Sequence, residues 1–93
     1  MPRVTVCVPT YNRSQLLSET LDSVLKQEYS DFRVVVTDNC STDNTREVVE
    51  QYRARDTRVI YHRNHENLGQ FGNIDEGIRL TETPYWALLM DDD

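Results

Sequence analysis

Val4-Thr5-Val6-Cys7-Val8-Pro9-Thr10-Tyr11-Asn12-Arg13 opens the chain with a short β-branched run that breaks into a polar turn. Such a run reads as a buried strand, because branched side chains fit a pleated surface. Pro9 carries no N–H and is expected to end that strand. The turn that follows holds no glycine. A dinucleotide-binding domain would carry a glycine-rich turn there, and a P-loop would need Gly-Lys-Ser/Thr, which the sequence lacks.

Downstream, the apolar period switches from strand to helix and back. Leu16, Leu17, Leu21, Val24 and Leu25 fall on one helical face, with Asn12 or Ser14 as the expected cap. Phe32-Arg33-Val34-Val35-Val36-Thr37 is a second strand. A polar loop leads to Asn44, which forms a capping-box pattern with Glu47 ahead of the stripe Val48, Val49 and Tyr52. Val59-Ile60-Tyr61-His62 is a third strand. Phe71, Ile74 and Ile78 suggest a third, weaker helix interrupted by Gly72 and Gly77. Tyr85-Trp86-Ala87-Leu88-Leu89-Met90 is a fourth strand, expected to be buried, with Trp86 in the core at its entry. Each crossover is long enough for a helix. The fold class is therefore α/β, an open, mostly parallel sheet with flanking helices and right-handed connections. The expected strand order is 3-2-1-4.

The chain has 93 residues, enough for one domain with a modest core. Its net charge of −6 argues against nucleic-acid binding, which depends on cations meeting phosphates. No apolar run is long enough to span a bilayer, and the N-terminus lacks a signal-peptide core. A cytoplasmic chain is expected, or the cytosolic-facing part of something longer, at the inner face of a membrane. Cys7 and Cys40 are too few and too far apart for a disulfide framework or a zinc site. Cys7 reads as a small core residue and Cys40 as a loop residue.

Asp91-Asp92-Asp93 follows the fourth strand directly. Three adjacent carboxylates repel one another unless a cation neutralises them or water reaches them. Carboxylate oxygens suit hard divalent metals such as magnesium or manganese, and a metal there commonly serves a phosphate. Ligands of open α/β sheets sit beyond the carboxyl ends of the strands, at the switch in strand order. Thr10, Tyr11, Asp38 and the acidic triplet occupy those ends. Tyr11 can pack its ring on a base, and Asp38 can accept from a base N–H or a ribose hydroxyl. Asp91 and Asp93 form a D-x-D that can hold ribose and metal.

Four segments in series resemble the N-terminal half of a family 2 glycosyltransferase of the GT-A fold. They are Val6-Cys7-Val8-Pro9-Thr10-Tyr11-Asn12-Arg13, the run from Val36 through Asp38, Asn39 and Ser41 to Thr45, Asn67-Leu68-Gly69, and Leu88-Leu89-Met90-Asp91-Asp92-Asp93. The resemblance covers nearly the whole chain. It implies a Rossmann-like half-domain over residues 1–93 that binds a nucleotide-sugar donor, most often a UDP-sugar, for inverting transfer in the manner of cell-envelope polysaccharide synthesis. By position, Pro9, Thr10 and Tyr11 would line the nucleoside pocket, and Asp38 would accept from the base. Asp91 and Asp92 would lie nearest the ribose, and Asp93 would contact manganese or magnesium. Asn39 matches an Asp-Asn variant of a pair that is often Asp-Asp. Asp75 stands where many members carry Asn. The acceptor half and the catalytic base are expected beyond Asp93, with a glycan, lipid or protein as acceptor.

Other readings compete. Asp38 also fits a turn cap and Tyr11 a surface turn. Residues 41–45 read as capping residues, His62 and His65 as exposed, and Arg13 as a surface arginine. A sugar-nucleotide nucleotidyltransferase would carry a glycine-rich, basic first loop. A phosphotransfer receiver would carry acidic residues after the first strand. A non-catalytic nucleotide-binding or interaction module is the remaining alternative. Apolar surface and an open sheet edge would favour self-association.

Overall fold

A computed structural model of the chain describes residues 3–27, 31–81 and 83–90. Its elements run β1 (Val4–Thr10), α1 (Ser14–Leu25), β2 (Phe32–Asp38), α2 (Thr45–Arg55), β3 (Val59–Arg63), α3 (Gly69–Arg79) and β4 (Tyr85–Leu88). The four strands form one sheet in the order β3-β2-β1-β4, with all pairs parallel. The alternation of strand and helix follows the apolar periods of the sequence, and the order is the default one for such half-folds.

The core lies on the α1/α2 side of the sheet. Val8, Val34 and Val36 pack there against Leu17, Leu21 and Val24 of α1 and Val49 and Tyr52 of α2. Burying each such side chain contributes about 1.5–3 kcal/mol before entropy is counted. Tyr52 ties the two helices together. Its hydroxyl meets Asp22 Oδ1 at 2.6 Å and Ser18 Oγ at 2.8 Å. Burial, and then the Asp22 hydrogen bond, raise its pKa.

The opposite face is thinner. There α3 presents Asn73 and Gly77 inward, while Phe71 is 80% exposed. The Phe71–Ile74–Ile78 stripe therefore misidentified the packed side of α3. A Cβ on Gly77 would stand 3.4 Å from Thr37 Cγ2 and 3.6 Å from Cys7 Cβ. A methyl group there would make ordinary van der Waals contact, so α3 packs directly on the sheet over Thr37 and Cys7 at this position. Cys7 is buried beneath it, with Sγ 3.6 Å from the Gly77 carbonyl, and both Cys7 and Cys40 are free thiols.

Three local expectations are corrected. Pro9 does not end β1, which pairs with β2 through Thr10↔Asp38. Alternate residues of a central parallel strand address opposite neighbours. Leu89 N–H donates to Cys7 O and Asn39 N–H to Thr10 O, so Pro9 faces β4. Pairing with β4 stops at Cys7↔Leu88, and the missing donor costs nothing on the β2 side. β4 is not buried. It is an edge strand exposed along its length, and Trp86, placed in the core by the sequence, is 48% exposed. The expected caps also differ. Arg13 and Asn44 precede α1 and α2 without a side-chain cap bond. Asp43 takes over instead. Its Oδ1 accepts Thr45 N–H at 3.0 Å, and its Oδ2 accepts Ser14 N–H at 3.4 Å, serving both helix starts.

Candidate functional site

The carboxyl ends of β1, β2 and β4 open on a cleft of about 270 Å³. Pro9, Thr10, Tyr11 and Arg13 line one side, Asn67, Gly69, Gln70 and Asn73 another, with Asn39 and Met90 between them. The cleft lies where β1 has β2 on one side and β4 on the other, which is the switch in strand order. Open α/β sheets place their ligands at such a switch.

Two loops are clasped together to form the rim. Asn12 adopts a positive φ of 51°, which asparagine tolerates because its short side chain bonds locally. It does not cap α1. Its Oδ1 accepts Thr42 N–H at 2.8 Å and Asp43 N–H at 3.3 Å across the β2–α2 loop. Its own N–H donates to Ser41 Oγ at 2.9 Å, and Ser41 Oγ donates onward to Asp38 Oδ1 at 2.5 Å. Cys40, at φ 67°, makes the sharp turn between them.

Asp38 sits beneath this clasp at 1% exposure and does not line the cleft. Ser41 N–H also donates to Oδ1, at 2.9 Å, and Tyr61 Oη donates to Oδ2 at 2.5 Å. A carboxylate offers about four acceptor positions, so one remains, on Oδ2. Burial, and then the bond to Asp38, push the Tyr61 phenol well above its ordinary pKa. The Asp43 carboxyl shows the reverse. Burial raises it, but hydrogen bonds from Thr45 and Ser14 together outweigh that and hold it below the usual range.

The structure thus brings Pro9, Thr10 and Tyr11 together at the cleft, and sets Asp38 behind it. Arg13 is exposed, as expected, yet it also lines the cleft. His65 is exposed, whereas His62 is half-buried, with Nε2 3.3 Å from Glu76 Oε2. Asp91, Asp92 and Asp93 lie outside the described residues. Met90, which precedes them, is part of the cleft wall. Among the described residues no cluster of three or more metal-ligating side chains occurs, and no helix is long and apolar enough to cross a membrane.

Sequence reasoning missed Gln70 and Asn73. Asn73 stands four residues before Gly77, which places both on the same helical face, and that spacing was a readable signal. Asn73, Asn64 and Asn39 are each at least 96% buried, and Asn64 Nδ2 donates to the amide oxygens of both of the others.

An open parallel α/β sheet with a cleft at its switch point is a fold that takes its ligands at the carboxyl ends of the strands. The profile for glycosyl transferase family 2 matches residues 5–93, and the chain belongs to that family. It is 34% identical over 94 residues to the GalNAc(5)-diNAcBac-PP-undecaprenol beta-1,3-glucosyltransferase of Campylobacter jejuni, covering 100% of this chain and 30% of that protein. It superposes on Staphylococcus aureus TarS 1–349 in complex with UDP-GlcNAc with a TM-score of 0.85 at 31% identity, covering 99% of this chain and 27% of that one. The mannosyltransferase PcManGT of Pyrobaculum calidifontis, in complex with GDP-Man and Mn2+, matches with a TM-score of 0.78 at 33% identity, covering 86% of this chain and 24% of that one. The chain spans about a third or less of the length of such relatives.

Proposed function

We propose that the cleft binds the nucleotide diphosphate of an activated sugar, and that the chain is the donor-binding part of a GT-A glycosyltransferase. The single observation that carries this is the convergence of Pro9, Thr10, Tyr11 and Met90 on one cleft at the β1/β4 switch. The complexes of related proteins with UDP-GlcNAc and GDP-Man support a nucleotide-sugar donor. A UDP-sugar is the reading carried forward. Transfer would proceed with inversion to a glycan, lipid or protein acceptor, at the cytoplasmic face of a membrane. The reading assigns neither the acceptor pocket nor the catalytic base to any residue of this chain.

In this reading Tyr11 covers the base with its ring, while Pro9 and Thr10 shape the wall beside it. Asp38 offers the base its one open acceptor position on Oδ2, which requires the Ser41 and Tyr61 cover to yield. Asp91 and Asp92 would take the ribose side. Asp91 and Asp93 supply only carboxylate oxygen, the donor type that magnesium and manganese accept, and they follow a residue of the cleft wall. The donor set therefore fits a divalent cation held by Asp91 and Asp93. When bound, such an ion neutralises the diphosphate and stabilises the leaving charge.

Tyr11→Ala tests the placement of the base. Loss of a stacking surface should weaken UDP binding by roughly tenfold, about 1.4 kcal/mol. Unchanged affinity would remove Tyr11 from the site.

A further inference from the structure

We infer that Asn12 is a positioning residue. Its side chain is spent on the β2–α2 loop and fixes the backbone that aims Tyr11 at the ligand. This rests on the donor-site reading, because Tyr11 is the residue that reading sets against the base.

Tyr11 and Arg13 line the cleft, but Asn12 between them does not. Tyr11 is 41% exposed, and among the described residues its side chain has no hydrogen-bond partner. Nothing polar holds the ring, so its direction depends on the backbone that carries it. That backbone turns at once. Asn12 has a φ of 51°, a left-handed conformation open chiefly to glycine, asparagine and aspartate.

A second segment holds Asn12 in that turn. Oδ1 accepts Thr42 N–H at 2.8 Å, Asp43 N–H at 3.3 Å and the Thr42 hydroxyl at 3.4 Å. Two backbone donors require an oxygen there, so the amide can face only one way. Asn12 N–H donates to Ser41 Oγ at 2.9 Å. The anchor is itself well tied. Ser41 N–H donates to buried Asp38 at 2.9 Å, Arg63 Nη2 donates to Ser41 O at 3.1 Å, and Asp43 accepts Thr45 N–H from the first turn of α2. Asn12 thus ties the residue beside Tyr11 to β2, β3 and α2 at once.

A ring already held in place binds a base without the cost of ordering its loop. Asn12→Gly keeps the left-handed backbone and the N–H but deletes Oδ1. Asn12→Asp keeps that conformation and an oxygen for both N–H groups. The pair separates the clasp from the backbone conformation.

The experiment compares the wild-type chain with Asn12→Gly, Asn12→Asp, Tyr11→Ala and the Tyr11→Ala, Asn12→Gly double variant. It reads amide hydrogen exchange at Thr42 and Asp43, the backbone order parameter of Tyr11 by magnetic resonance, and titrations of UDP and of GDP with manganese. In Asn12→Gly, exchange should quicken at both amides and the order parameter should fall from about 0.85 toward 0.6. Asn12→Asp should keep both readings near wild type. It is not used in the titrations, because its added charge would act on a diphosphate directly. Nucleotide affinity should fall roughly three- to tenfold in Asn12→Gly, but by less than about twofold when the same change is made in Tyr11→Ala. A merely structural loss would add to Tyr11→Ala instead. Unchanged exchange, an unchanged order parameter, no rescue by aspartate, or additive losses of affinity would overturn the assignment. If wild type binds neither nucleotide, the donor-site reading fails, while exchange and the order parameter still judge Asn12.

Discussion

The Tyr61 hydroxyl donates to Asp38 Oδ2 at 2.5 Å, joining β3 to a carboxylate that Ser41 holds from the other side. An aspartate at the carboxyl end of β2 is thereby the organising acceptor of the loop above it. Its burial is tolerated because three donors reach it.

Tyr61→Phe removes one of those donors and adds none. A buried carboxylate oxygen losing its donor costs about 1–3 kcal/mol. Urea unfolding should show a loss of that size with an unchanged m-value. A loss under a few tenths of a kcal/mol would mean that water replaces the phenol.

Asp43 serves both helix starts, and its folded pKa lies below the ordinary aspartate value. A depressed carboxylate contributes stability that is present above the unfolded pKa and is lost as pH falls through the folded one. Asp43→Asn should therefore be less stable than wild type at pH 7 and show a shallower decline below about pH 4. Parallel acid limbs in the two proteins would exclude Asp43 as a source of that decline. Asp56 should contribute in the same direction, since the Arg58 hydrogen bond lowers it first and most, against burial.

Gly77 separates α3 from the sheet by contact distances that a methyl group just meets. Alanine gains roughly 0.8–1 kcal/mol of helix propensity over glycine. Gly77→Ala should be neutral or stabilising by thermal melting, whereas Gly77→Leu should be strongly destabilising, because Thr37 and Cys7 leave it no room. A stable Gly77→Leu would contradict the close packing of α3.

The two sheet edges differ in charge. β3 carries His62 and Arg63, with Arg58 just before it, whereas Pro84-Tyr85-Trp86-Ala87-Leu88-Leu89-Met90 has no charge at all. Tyr85 and Leu89 donate their N–H groups to Arg3 and Cys7 of the β1 side, so Trp86 and Leu88 direct theirs outward. An uncharged open edge with exposed Tyr85, Trp86 and Leu88 favours strand-to-strand association. The 93-residue chain should self-associate in sedimentation at micromolar concentration, and Leu88→Lys should reduce this without altering circular dichroism. A monomer at all concentrations would remove β4 as a contact.

How far these features were legible follows from which forces set them. Strand–helix alternation is written in apolar period, so Val34, Val36, Leu17 and Val49 could be read directly. Strand order followed from a general tendency of such sheets. Trp86 misled because hydrophobicity reports a preference for burial, while an edge strand has nothing in these residues to bury against. Phe71 misled for a related reason, since α3 packs through Asn73 and Gly77. Asn12, Asp43 and Asn39 act through contacts about 30 residues away, and local capping rules cannot see those. Thr10 and Tyr11 line the cleft because strand ends are fixed by the same alternation.

The most direct test is calorimetric titration of UDP into this chain with and without manganese, repeated on Asp93→Ala. A metal-assisted donor site predicts binding that strengthens with manganese and loses that enhancement in Asp93→Ala. Binding that ignores manganese and the substitution alike, or none to UDP, GDP or TDP by a chain shown to be folded, would contradict it.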